Sequence, residues 1–170
     1  MKLTKQMQHV LTCLIALAGI SFWLYTRVNK IVPTSYMDEY FHVRQAQRYC
    51  TDGLLRAEWD DKITTLPGLY LISIIYENIL AIFTDQVCSI ETLRSINIVF
   101  ICLTFVTLVS ILSRSNGDAQ PVYKALQLTL LPVMYFFTPL YYTDIGSALF
   151  LLISFSLARH ERFTLSAMVC

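Results

Sequence analysis

Apolar runs of 14 to 18 residues dominate this chain, and one long mixed stretch from about residue 29 to 93 separates the first run from the later ones. The runs cover residues 10–25, 66–83, 96–112, 125–138 and 145–158, and a last one starts at Phe163. Four of them, 10–25, 96–112, 125–138 (interrupted by Pro132) and 145–158, predict membrane-spanning helices. The run at 66–83 reads differently. Tyr70, Ser73 and Glu77 recur at spacings of three and four and form a polar stripe on one helical face. A carboxylate near a span centre costs roughly 2.5–3.5 kcal/mol on insertion scales. The expectation is therefore a helix lying along the membrane surface.

Charge decides the orientation. Lys2 and Lys5 precede the first run, and "TRVNKIVP" after it has no small-residue cleavage site. This predicts a retained signal anchor with a cytosolic N-terminus. The segment 113–124 carries Arg114 and Lys124, and 159–163 carries Arg159 and Arg162, whereas "TPLYYTD" at 138–144 has no basic residue. If 66–83 does not span, every basic loop faces the cytosol and "TPLYYTD" faces the other side. Three parts follow: a cytosolic N-terminus and first span (1–28), a lumenal loop with surface helices (29–93), and further spans (94–170). The eight residues from Phe163 to Cys170 fall short of the roughly 20 that a bilayer core requires. A fragment or truncated product, with little or no activity alone, is expected.

Composition agrees with a membrane protein. Of 170 residues 55% are apolar and 15% charged, and the mean hydropathy is +0.53. A net charge of +1 gives no reason to invoke nucleic acid. The cysteines, Cys13, Cys50, Cys88, Cys102 and Cys170, show neither CxxC pairing nor zinc spacing, so no metal site is assigned. Cys13 and Cys102 lie in apolar runs as small hydrophobes. Cys50 and Cys88 share the lumenal loop, where an oxidising environment permits a disulfide; two free thiols are the alternative.

Three polar stretches carry the candidate chemistry. In "SYMDEYFHVRQAQRYC", Ser35 and Asp38 fit an S-x-x-D capping box, with Asp38 and Glu39 in the first turn of a helix. Asp38, His42, Gln45 and Tyr49 also fall on one face of that helix, and an acid at the lumenal end of a span can act as general base on a hydroxyl. Arg44 and Arg48 can meet phosphate, and Glu39 with His42 is a conceivable metal pair. In "WDDKITTLPGLY", Thr64 or Thr65 can cap a helix with Pro67 in its first turn, while Asp60 and Lys62 add polar groups at the same surface. In "PLYYTD", Asp144 is either a helix cap or a second acid facing the same surface as Asp38.

Together, "MDEYFHVRQAQRYC", "WDDKITTLPGLYL" and "FFTPLYYTDIGS" resemble the dolichyl-phosphate-glucose-dependent alpha-1,2-glucosyltransferases of the endoplasmic reticulum, over roughly residues 35 to 150. Arg44 and Asp61 stand where that family usually has proline, and the departure takes weight from Arg44 as a phosphate ligand. The resemblance implies an all-α, polytopic, GT-C-like membrane glycosyltransferase, of which this chain is the N-terminal part. It implies transfer of glucose from dolichyl phosphate glucose to the terminal glucose of the dolichol-linked oligosaccharide, the N-glycan precursor. A beta-linked donor and an alpha product mean inversion in a single displacement, with no covalent enzyme intermediate; no cofactor is assigned, dolichyl phosphate glucose being the donor substrate, and metal dependence is left open. Asp38 is the first choice for base and Glu39 the second. Arg48, Lys62 and Asp144 are expected to contact phosphate or sugar, and His42, Gln45, Asp60 and Tyr142 complete the substrate-binding set. The resemblance also favours the Cys50–Cys88 disulfide. Two other classes remain: a non-enzymatic membrane subunit or regulator, and a transporter. Against the transporter, the four predicted spans carry no Asp, Glu, Lys or Arg in their cores.

Overall fold

A computed structural model describes residues 5–83, 88–114 and 120–169. Lys2, part of the basic N-terminal flank, and Cys170, at the end of the last run, lie outside the described residues. Among the described residues the protein is all-helical. Its elements are α1 (Lys5–Ile31), α2 (Glu39–Asp52), α3 (Gly68–Leu80), α4 (Ile90–Ser113), α5 (Pro121–Thr129), α6 (Pro132–Phe136), α7 (Asp144–Arg159) and α8 (Phe163–Val169).

Two of these helices are long and apolar enough to cross a membrane: α1 with 27 residues and α4 with 24. At a rise of about 1.5 Å per residue each exceeds the roughly 30 Å hydrocarbon core. The run expected to span at 125–138 is divided. Pro132 has no N–H to continue the helix that ends at Thr129, so the chain breaks at Leu130–Leu131 and restarts as the five-residue α6. With 16 residues, α7 rises only about 24 Å.

The central element is α4, whose N-cap Ser89 accepts a hydrogen bond from the Thr92 N–H at 3.1 Å. Its buried Leu93, Ile96, Phe100, Phe105 and Leu108 recur at helical spacing and serve two cores. One core joins α4 to α2, α3 and α7 through Val43, Tyr70 and Ile145; the other joins it to α1 and α5 through Leu17 and Ala125. Hydrogen bonds show that α1 and α4 run antiparallel. Gln6 Nε2 donates to Ser113 Oγ at 3.1 Å at one end, and Tyr25 Oη donates to the Glu91 carbonyl at 3.0 Å near the other. The stretch between α1 and α4, with α2 and α3, is thus gathered at one end of the bundle. Arg114 meets His160 at the opposite end.

The surface-helix expectation for 66–83 acquires a direction. Helix α3 has 13 residues, about 20 Å, which is too short to span. Tyr70, Ser73 and Glu77 face inward and are buried, while Leu71, Ile75 and Ile79 face outward. The polar stripe is thus the packing face, and the apolar stripe looks away from the protein. No threonine side chain caps this helix; Pro67 occupies the N-cap position.

Helices α4 and α7 approach closely at Gly146, where an added Cβ would lie 3.1 Å from the Phe100 ring. A larger side chain must displace that ring, and overpacking of this kind costs about 1–3 kcal/mol. Gly146→Leu is expected to lower the thermal midpoint of the full-length protein in detergent, with a smaller loss for Gly146→Ala. An unchanged midpoint for the leucine variant would refute the close contact.

Candidate active site

The turn entering α2 separates two neighbouring acids. Met37 has φ of +49°, a left-handed conformation that costs a residue bearing a Cβ about 1–2 kcal/mol. Behind that kink Asp38 takes the N-cap position with φ −68° and ψ −17°, and its side chain makes no capping bond. The capping box expected from Ser35 does not form. Its second half appears one residue later, where the Tyr36 N–H donates to Glu39 Oε2 at 2.9 Å. As a result Asp38 is exposed and Glu39 is fully buried.

Four hydrogen bonds occupy the Glu39 carboxylate. Arg94 Nε donates to Oε1 at 2.8 Å and Nη2 to Oε2 at 2.7 Å, and both side chains are 0% exposed. The backbone N–H of Tyr141 reaches Oε1 at 2.7 Å, and that of Tyr36 reaches Oε2. Burial alone would push the Glu39 pKa up. The Arg94 guanidinium and the two backbone N–H groups outweigh it and hold the carboxyl below its ordinary value.

The third polar stretch is fixed just as firmly. Asn97 Nδ2 donates to the carbonyls of Leu140 and Tyr142 at 2.5 and 3.2 Å. Tyr141 Oη meets Ser73 Oγ at 2.7 Å, which uses the inward stripe of α3. Tyr142 Oη donates to the Tyr36 carbonyl at 3.0 Å. Asp144 opens α7 in its first turn with Thr143 in the N-cap position, so it is not the cap, and its side chain is exposed.

These constraints enclose an open cleft of about 400 Å³ whose walls include Asp38, His42, Lys62, Thr64, Tyr142 and Asp144. Each of the three polar stretches contributes. His42 Nδ1 lies 2.6 Å from Tyr70 Oη, and its ring stands edge-on to Tyr142 with centroids 5.8 Å apart. Burial lowers the His42 pKa against the pull of Asp38, Asp144 and Glu39, so the imidazole is neutral near pH 7. Burial raises the Tyr70 phenol to about 12 and keeps it protonated. The Lys62 ammonium lies over the Phe41 ring at 5.5 Å.

Of the expected site residues, then, Asp38, His42, Lys62, Tyr142 and Asp144 meet in the cleft. Others shape it from behind. Gln45 is fully buried, donating to the Glu58 carbonyl at 3.1 Å and accepting from the Asp60 N–H at 3.0 Å, so both ends of its amide hold the loop before Lys62. Asp60 Oδ1 accepts the Lys62 N–H at 3.1 Å, and Arg48 donates to the Glu58 carbonyl at 3.4 Å. Arg44 turns to Tyr40 instead. No group of three or more metal-binding side chains occurs among the described residues. Sequence reasoning missed Arg94 and Asn97. Arg94 stands two residues before the start of an apolar run, and Asn97 is the second residue of that run.

Cys50 and Cys88 are joined by a disulfide with Cα atoms 6.6 Å apart, which ties α2 to the segment leading into α4. Gln47 Nε2 donates to the Cys88 carbonyl at 3.1 Å, and the Cys88 N–H donates to the buried Glu77 at 2.7 Å. Burial raises the pKa of Glu77.

The helices, with two long enough to span a bilayer, and the acid-lined cleft at one end of the bundle define a helical membrane protein with a candidate site for polar chemistry. The DIE2/ALG10 family profile matches residues 32–170, and the chain belongs to that family. It is 40% identical over 155 residues to the Dol-P-Glc:Glc(2)Man(9)GlcNAc(2)-PP-Dol alpha-1,2-glucosyltransferase of Arabidopsis thaliana, covering 83% of this chain and 30% of the relative. To the enzyme of the same name from Gibberella zeae it is 38% identical over 160 residues, covering 84% of this chain and 21% of the relative. One from Homo sapiens is 36% identical over 158 residues, covering 87% and 33%. The chain thus spans about a fifth to a third of the length of these curated relatives. No solved structure matches.

Two outcomes follow. In the non-reduced full-length protein, Cys50 and Cys88 should resist maleimide labelling and react after reduction, as read by peptide mass spectrometry; labelling without reductant would refute the bridge. The second concerns pH. Because the folded pKa of Glu39 is depressed, its contribution is present above the ordinary glutamate value of about 4.3 and lost as pH falls through the lower folded value. Glu39→Gln should therefore cost about 3–5 kcal/mol at pH 7, the scale for unpairing a buried ion pair. The gap in detergent melting temperature between wild type and variant should close in acid; a gap independent of pH would contradict the assignment.

Proposed function

We propose that the protein containing this chain transfers glucose from dolichyl phosphate glucose, in alpha-1,2 linkage, to the dolichol-linked oligosaccharide of N-glycan assembly at the lumenal face of the endoplasmic reticulum membrane. The observation that carries this reading is the convergence of the three polar stretches on one cleft. The names of the relatives supply the substrates. A further support is an apolar groove of about 560 Å³ that shares Thr64, Thr65 and Thr143 with the cleft and continues past Leu66, Ile72 and Phe150. A polar cleft opening into an apolar groove suits substrates whose sugars are carried on a lipid.

In this reading Asp38 is the general base. It is the exposed member of the acid pair, whereas every accepting direction of Glu39 is filled by a donor. The Asp38 carboxylate takes the proton from the 2-hydroxyl of the acceptor's terminal glucose. The oxygen then attacks the anomeric carbon of the donor, and the bond from that carbon to the phosphate oxygen breaks with its electrons leaving on dolichyl phosphate. One bond forms and one breaks, with inversion. Lys62, the one cationic side chain lining the cleft among the described residues, balances charge on the departing phosphate. Asp144 supplies negative charge where an oxocarbenium-like transition state develops positive charge, and neutral His42 and Tyr142 offer hydrogen bonds to sugar hydroxyls.

The N-terminus of α1 lies at the end of the bundle away from the cleft, and so do Arg114 and Arg159, which accords with a cytosolic N-terminus and a lumenal site. The test is lumenal glucosylation by the full-length protein. Asp38→Asn should lower kcat about 100-fold or more, the scale for losing a general base, at unchanged thermal stability. Glu39→Gln should lower activity together with stability. Wild-type turnover by Asp38→Asn would remove the base from this position.

A further inference from the structure

We propose that Arg94 and Asn97, on one face of the second long helix, are positioning residues that set the placement of Asp38 against Tyr142 and Asp144. The proposal rests on the reading of Asp38 as base.

Residues three apart share a helical face, and these two hold opposite walls of the cleft. Arg94 spends all five guanidinium hydrogens. Nε and Nη2 grip Glu39 at 2.8 and 2.7 Å, Nη2 also reaches the Thr34 carbonyl at 3.1 Å, and Nη1 reaches Asn29 Oδ1 and the Val32 carbonyl, both at 2.8 Å. The end of α1, the non-helical approach to α2 and the first residue of α2 are thereby tied to one point on α4. From that point the Glu39 carboxylate extends in two directions. One oxygen accepts the Tyr36 N–H and holds the left-handed turn at Met37, directly before Asp38. The other accepts the Tyr141 N–H, directly before Tyr142. Asn97 fixes the same segment through the carbonyls on either side of Tyr141, while its own Oδ1 is buried without a partner.

Stability alone does not call for this arrangement. Well-packed apolar residues of similar volume commonly replace a buried ion pair without loss. What an apolar pair cannot supply is a common acceptor for two backbone N–H groups on opposite walls. Misplacing a reacting group by about 1 Å can cost about 100-fold in rate. Lysine at position 94 keeps the charge but has three donors in place of five and no planar fork.

The experiment uses full-length protein and compares Arg94→Lys, Asn97→Ala and the double variant Arg94→Met/Glu39→Met, with Asp38→Asn as the separate check on the base. Each is measured for kcat, KM, melting temperature and amide hydrogen exchange. The expected result for the double variant is a melting temperature between those of wild type and Glu39→Gln, because the stranded charge is gone but the backbone groups are still released, with faster exchange at Tyr36 and Tyr141, and kcat reduced about 100-fold with KM changed less than about threefold. Arg94→Lys and Asn97→Ala should show the same split at smaller size, and they carry the test if the double variant does not accumulate. Wild-type kcat in these variants, or a fall in kcat that only tracks a fall in melting temperature with exchange at Tyr141 unchanged, would overturn the positioning role. Wild-type kcat in Asp38→Asn alone would overturn the base assignment and leave the exchange result to judge the positioning geometry.

Discussion

A carboxylate and a guanidinium withdrawn completely from solvent cost several kcal/mol each in desolvation, and their mutual attraction offsets this only when every remaining donor and acceptor is used. The Glu39–Arg94 pair meets that condition, with five donated bonds from the arginine and four accepted by the glutamate. Because the bonds leave in different directions, meeting it forces the end of α1, the start of α2, the first turns of α4 and the segment before α7 into one arrangement. The cleft is what that arrangement leaves open. Removing either partner would strand a buried charge and release several backbone groups at once, so this end of the bundle has one stable assembly.

The same condition gives adjacent acids different environments. Asp38 and Glu39 have nearly equal intrinsic acidity, and their surroundings diverge because a left-handed residue precedes them and a helix begins between them. One side chain is directed to solvent and the other into the protein. A base must have a free lone pair facing its substrate; a keystone must have none. The strain at Met37 is tolerated because the Tyr36 N–H it exposes finds Glu39. Backbone strain persists where surrounding structure over-determines it, and here the over-determining group is Glu39, one residue past the exposed Asp38.

Much of this was legible from residue pattern. Of the four apolar runs expected to span, those at 10–25 and 96–112 became helices long enough to cross a bilayer, and the i, i+3, i+7 stripe of Tyr70, Ser73 and Glu77 marked a helix too short to do so. The three polar stretches were correctly read as belonging to one surface. What failed were features decided by register and by tertiary partners. Ser35 and Asp38 satisfy the capping pattern, but the glutamate that reaches back is Glu39, and only its burial against Arg94 selects that register. Gln45 sits on the polar face with His42, yet a loop thirteen residues on, around Glu58 to Asp60, consumes its amide. Periodicity places a side chain on a face without saying whether substrate or backbone will meet it. Arg94 lay just outside an apolar run and Asn97 inside one, so a rule that looks for charge in span cores passed over both.

The reversed amphipathicity of α3 follows from the same economy of polar groups. A surface helix on a soluble protein turns its apolar stripe to the core; this one turns Tyr70, Ser73 and Glu77 inward and leaves Leu71, Ile75 and Ile79 outside. The inward stripe has specific employment: Tyr70 bonds His42, Ser73 bonds Tyr141, and Glu77 takes the N–H of Cys88. In water the outward stripe would be a liability. Beside α4, which is long enough to reach across a bilayer, a lipid medium would accept it. The medium that solvates the back of α3 is also the one that would carry a lipid-linked sugar to its front. The polar face of α3 backs the cleft through His42 and Tyr141 while its apolar face stays exposed; in the proposed reading that outer face meets hydrocarbon, which would set the cleft near the lipid headgroups.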